Sequence, residues 1–146
     1  MIEHHRWSGY LDLHRDPGSS GPYRVGCTLT FRSTKFEVKV NAGFRTDGAS
    51  VPRPFRWWAD PFSGRYAAPA VIHDGLYALQ ATTRSEADEV LLEAMRSSGC
   101  RPTQAALIWA AVRAFGWIPW RAKTHYSTSL ARHFVEVRRW PGQLNS

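Results

Sequence analysis

At 146 residues the chain has the length of one domain and enough polypeptide to enclose a core, and its 43% hydrophobic and 21% charged residues exclude wholesale disorder. Two cysteines, Cys27 and Cys100, are too few for a disulfide scaffold, so reduced thiols in a cytoplasm are expected. The net charge of +7 is uneven: residues 1–73 carry ten basic and six acidic side chains, residues 74–93 set Arg84 against five acids, and residues 94–146 set eight basic residues against Glu136. A basic field attracts nucleic acid, anionic lipid or an acidic partner, whereas the local acidic patch is suited to a cation.

The N-terminal text has no apolar signal core, and no segment approaches membrane-spanning length. A soluble protein made and kept inside a cell is expected. Strands come first. Residues 10–13, 25–31 and 36–40 read as strands, the last alternating apolar and polar with period two. Turn residues 16–22 separate the first two, and an antiparallel meander is the simplest arrangement. A Gly- and Pro-punctuated loop over residues 43–55 follows, of the kind that carries function when a scaffold holds both ends.

From residue 65 the pattern turns helical. A helix over 66–79 tolerates Pro69 if it lies in the first turn. A second opens at Thr83 or Ser85 and runs to residue 98, before Gly99. Thr103 can cap a third, through Phe115 to Gly116. That third helix is apolar almost all round, which predicts the buried central position, with Arg113 as its one charge in need of a partner. A short helix over 129–137 is expected in the tail. The fold class is therefore α+β: residues 1–55 as a β-rich part with a functional loop, residues 56–146 as about three helices, in one domain.

His73 and Asp74 interrupt an apolar run, residues 67–72, and a buried charge demands a partner or a metal. Tyr77, four residues after His73, shares its helix face, while Asp74 is rotated by about 100° toward another neighbour. Residues 73 and 88 are placed symmetrically about a turn near residues 80–81, so an antiparallel helix hairpin sets them at similar height. Asp88 has a competing role, since Ser85-x-x-Asp88 and Thr83-x-x-Glu86 both read as capping boxes. His73 and Asp74 have one too, as a buried polar network with Asp47 or Arg113 that locks the hairpin to the loop. Asp47-Gly48 reads equally as a turn. Ser50 does not sit in the strand-to-helix elbow that a nucleophilic serine needs. His125 and His133 lie in a basic tail and are expected to be solvated. No His-x-x-x-His or cysteine pair supports zinc. The pairs Trp57-Trp58 and Trp117/Trp120 read as core or rim aromatics rather than base-stacking platforms, and no sequence-specific nucleic-acid motif is present.

With those residues in hand, the chain resembles domain of unknown function 1353, a family of bacteriophage and prophage proteins. The matching text is Gly43-Phe44, Thr46-Asp47-Gly48-Ala49-Ser50-Val51-Pro52, His73-Asp74 with Leu76-Tyr77, Ala87-Asp88, and Val112-Arg113 with Phe115-Gly116. The resemblance implies a phage or prophage origin and carries no established activity. His73-Asp74-x-x-Tyr77 followed by Ala87-Asp88 also looks like the active-site text of secreted and parvoviral phospholipases A2. That second resemblance implies His73 as the general base, Asp88 as its orienting carboxylate supported by Tyr77, and Asp74 as a ligand of Ca²⁺. The disulfide frame and the Gly-rich calcium loop of those enzymes are missing here, so Thr46-Asp47-Gly48-Ala49 would stand in for the loop, with Asp47 as a second metal ligand.

Two functions follow. One is a phage-encoded hydrolase with Ca²⁺-assisted ester hydrolysis of a phospholipid as its specific version, acting at an anionic surface. The other is a non-catalytic phage protein, either a virion tail or head component or an inhibitor that binds a host defence protein.

Overall fold

The structure, a computed structural model, describes residues 6–15, 17–18, 23–46, 64–123 and 125–140. Among the described residues, seven short strands and five α-helices make an α+β fold. In chain order they are β1 (Trp7–Ser8), β2 (Leu13–His14), β3 (Tyr23–Val25), β4 (Leu29–Arg32), β5 (Phe36–Val40), β6 (Arg45–Thr46), α1 (Ala67–Leu79), α2 (Arg84–Ser97), α3 (Pro102–Phe115), α4 (Trp117–Ala122), α5 (His125–Ala131) and β7 (Val135–Arg139). A 3₁₀ turn, Gly64–Tyr66, leads into α1. Among the described residues no helix is long and apolar enough to cross a membrane.

The strands form two antiparallel sheets, not one meander: β1-β4-β5-β7 and β2-β3-β6. The expected strand over 25–31 divides at Gly26, with β3 in the smaller sheet and β4 in the larger. The expected strand over 10–13 is displaced to β1 and β2. β5 keeps its period of two, with Phe36, Val38 and Val40 buried and Glu37 and Lys39 half-buried. The expected tail helix over 129–137 is corrected as well. The helix runs earlier, as α5, and the chain then extends as β7, pairing with β5 in the register Val38↔Val137 and Val40↔Val135.

The central helix is α1, not α3. Eleven of the 13 residues of α1 are buried, against four of 14 in α3, whose Leu107 and Phe115 are exposed. α1 is the more apolar of the two along its whole length, and Gly75 lets it approach the sheet. A Cβ at that position would lie 3.0 Å from Val40 Cγ2 and 3.4 Å from Val135 Cγ1, so its absence lets α1 settle onto β5 and β7. Pro69 falls in the first turn of α1, where the missing N–H is harmless. α3 opens with Pro102 in its first turn and Arg101 at the N-cap, so Thr103 is not its cap.

The acidic stretch does not form an open patch. On α2, Glu86 meets Arg139 at 3.1 Å, Glu89 meets Lys35 at 3.2 Å, and Glu93 meets Arg6 at 3.2 Å while accepting from Thr34 N at 2.8 Å. Residues three and four apart on a helix share a face, so this acidic row fastens α2 to the basic margin of the larger sheet.

Candidate functional site

The site is built on the turn between α1 and α2. Gln80 closes α1 in the left-handed conformation, φ 53°, and Thr83 starts α2 with a complete capping box. In it the Thr83 hydroxyl accepts from Glu86 N at 3.2 Å, and Thr83 N donates to Glu86 Oε2 at 2.9 Å. The capping duty thus falls to Glu86, held below the ordinary carboxylate value chiefly by the Thr83 backbone hydrogen bond. Asp88 is left to face α1.

Asp88 is the hub, fully buried together with His73. Its Oδ1 lies 2.8 Å from His73 Nε2 and accepts from the Tyr77 hydroxyl at 2.7 Å. Its Oδ2 accepts from Arg113 Nη1 of α3 at 2.9 Å and faces Arg84 Nη1 at 3.4 Å. Arg84 also donates to the carbonyls of Val112 and Arg113, at 3.2 and 3.1 Å, tying α2 to the C-terminal turn of α3. Burial by itself would raise the Asp88 pKa; the hydrogen bonds from His73, Tyr77 and Arg113 outweigh it and leave the carboxyl below the ordinary aspartate value. Burial, followed by the hydrogen bond to Asp88, pushes the Tyr77 hydroxyl well above its usual value, so it stays a donor. An ionised Asp88 has no proton to give. Nε2 of His73 therefore carries the hydrogen, which leaves Nδ1 as the ring nitrogen not engaged by Asp88. Nδ1 is buried and has no hydrogen-bond partner among the described residues.

Neighbouring side chains hold this geometry. The Tyr77 ring packs on His73 with centroids 4.2 Å apart, and it meets the Trp120 ring in a T-shaped contact at 5.1 Å. A Cβ at Gly116 would lie 2.4 Å from the Val112 carbonyl oxygen and 2.5 Å from the Tyr77 hydroxyl, so the glycine after α3 makes room for the helix end and the phenol together. Trp120 is a half-buried rim aromatic, whereas Trp117 is exposed.

Asp74 points elsewhere. It is buried and accepts a hydrogen bond from the Thr46 hydroxyl at the end of β6, so the strand is latched to α1 one residue before Asp47. Asp47, Gly48 and Ser50 lie outside the described residues, as do Trp57 and Trp58. Among the described residues no three His, Cys, Asp or Glu side chains cluster for a metal. His125 and His133 are exposed. The structure thus brings together His73, Tyr77, Asp88 and Arg113, and sets Asp74 on a separate face of α1. Arg84 was missed by sequence reasoning, although its spacing of four from Asp88 on one helix face was a signal.

The chain belongs to the family described as protein of unknown function (DUF1353), whose model matches residues 23–112. It is also 36% identical over 81 residues to the uncharacterised protein y4iH of Sinorhizobium fredii, a match covering 53% of this chain and 33% of that protein. The matched segment is therefore about a third of the relative's length. No solved structure matches the chain.

Proposed function

We propose that this protein is a hydrolase in which His73 activates water, with Ca²⁺-assisted hydrolysis of a phospholipid ester as the specific reaction. The supporting observation is the asymmetry of His73. Nε2 is held at 2.8 Å by Asp88, while Nδ1 is left without a partner among the described residues. A histidine held on one nitrogen by a carboxylate that is itself fixed by Tyr77 and Arg113 has a defined tautomer and a free lone pair, as a general base requires. Asp88 and Arg113 are positioning residues, acting through His73.

Asp74 offers the hard oxygen that a calcium ion prefers, adjacent in sequence to His73 yet turned to another face. With Asp47 and the carbonyls of its loop it would hold the ion, and Thr46 fixes its carboxylate. A bound calcium would supply charge to polarise the ester carbonyl. The resemblance to bacteriophage and prophage proteins supports a phage or prophage setting, with action in the bacterial cytoplasm or from the virion.

A second reading has its own observations. His73 and Asp88 are both 0% exposed, and Leu107, Phe115, Trp117 and Ile118 are all exposed at the outer helices. These suit a non-catalytic protein in which the network only locks α1, α2 and α3, and an apolar face meets a phage or host protein. Fatty-acid release from mixed phospholipid vesicles with added Ca²⁺ decides between them. The hydrolase reading expects turnover that Asp74→Asn and His73→Asn both abolish; no turnover by folded protein supports the binding reading.

A further inference from the structure

A cavity of about 530 Å³ opens on the Asp74 side of α1, away from the His73–Asp88 network. Its walls are Phe44 after β5, Ala78 of α1, Leu130 and Ala131 of α5, and Phe134 before β7. Gly43, at φ +100°, leaves room for one wall, since a Cβ there would lie 2.7 Å from Phe134 Cε1. Ser127 and three cations, Arg24, Arg45 and Lys123, also line it, and none of the described lining residues is acidic.

The combination of apolar walls with Arg45 and Lys123 carries the argument. Arg24 and Arg45 stand directly opposite one another in the β3–β6 register. Arg45 and Lys123 form no ion pair with any described residue, so both are available to a ligand. The volume falls in the range of small-molecule sites, where apolar walls hold the body of a ligand and a few polar groups fix its head.

We propose that this cavity binds a small amphiphile with an anionic head, a carboxylate or a phosphate, and a short apolar body. The head lies against Arg45 and Lys123, and the body lies against Phe44, Phe134 and Leu130. The cavity includes neither His73 nor Asp88, so the inference stands whether or not the protein is a hydrolase.

Isothermal titration with octyl phosphate, inorganic phosphate and octyl glucoside tests it. Octyl phosphate should bind saturably with one site per chain, and the other two at least about tenfold more weakly, since each lacks one half of the recognition. Arg45→Gln and Lys123→Gln should each weaken octyl phosphate about tenfold, the loss of one charge-assisted contact. His73→Asn should leave it unchanged, which separates this inference from the catalytic reading. The two charge variants lie on different segments, and circular dichroism shows which are folded. Absence of saturable octyl phosphate binding overturns the proposal. So does equal affinity for inorganic phosphate or for octyl glucoside, or unchanged affinity in either charge variant that folds.

Discussion

Tyr77 and His73, one turn apart on α1, converge on a single oxygen of Asp88: the Tyr77 hydroxyl donates to Oδ1 at 2.7 Å, and His73 Nε2 lies 2.8 Å from the same atom. The opposite oxygen is taken by Arg113 at 2.9 Å. One carboxylate thus fixes two side chains of α1 and ties them through α2 to α3. This makes Asp88 a residue whose loss is felt in stability before it is felt in any activity.

Asp88→Asn should cost roughly 3 kcal/mol, because it removes the charge that balances Arg113 and leaves partners buried without their counterpart. Urea denaturation at neutral pH measures it. A cost below about 0.5 kcal/mol, the level of an ordinary surface substitution, would mean that the network does not hold the helices.

The pH dependence has a definite sign. Folding lowers the Asp88 pKa, so its carboxylate contributes stability that is fully present above the unfolded aspartate value and is lost as pH falls through the folded one. The urea midpoint should therefore drop below about pH 4, the ordinary aspartate range, and drop less steeply in Asp88→Asn. Equal slopes in the two proteins would contradict this assignment. Glu86 is shifted in the same direction, so the comparison with the variant is needed to isolate Asp88.

Tyr77→Phe keeps the ring packing on His73 and Trp120 and removes one hydrogen bond to a charged acceptor, a loss of about 1.5 kcal/mol. Gly116→Ala should destabilise by about 1–3 kcal/mol, since its Cβ would meet both the Val112 carbonyl oxygen and the Tyr77 hydroxyl. The two losses should add only in part, because Tyr77→Phe removes the phenol oxygen that the alanine meets but leaves the Val112 carbonyl in place. Strict additivity in a double-mutant cycle would show that Gly116 serves the backbone alone.

Much of the α1–α2 hairpin was legible in the sequence because it is local. Spacings of four place Tyr77 with His73, symmetry about residues 80–81 brings Asp88 to their height, and the Thr83-x-x-Glu86 text marks the helix start. Arg113 was recognisable as a charge needing a partner, although the partner itself emerged only from packing. Position 88 fitted a capping box as well as a dyad, and only the completed Thr83–Glu86 box resolves that. What could not be read is long-range. β7 pairs with β5 across about a hundred residues of chain, so its partner could not be read locally, although the alternation Val135-Glu136-Val137-Arg138 is itself a strand signal that a helical reading of the tail passes over. The central helix was misplaced because α3 is as apolar as a core helix, while the glycine that admits α1 to the sheet acts through Val40 and Val135. The acidic stretch looked open to a cation because its basic partners, Arg6, Lys35 and Arg139, lie far away in sequence.

Calcium titration separates the acidic groups. Asp74→Asn should abolish binding, whereas Glu89→Gln, half exposed and paired with Lys35, should leave it intact and cost under about 0.5 kcal/mol of stability. Calcium binding that survives Asp74→Asn would place the ion elsewhere.

His73→Asn keeps the size and polarity of the side chain but removes a group able to accept a proton near neutral pH. The decisive measurement is fatty-acid release from mixed phospholipid vesicles by folded wild-type and His73→Asn protein, with Ca²⁺ present. The account predicts measurable release by the wild type and a fall of about a hundredfold or more in the variant at an unchanged fold. Equal release by the two folded proteins, or none from either, would contradict it.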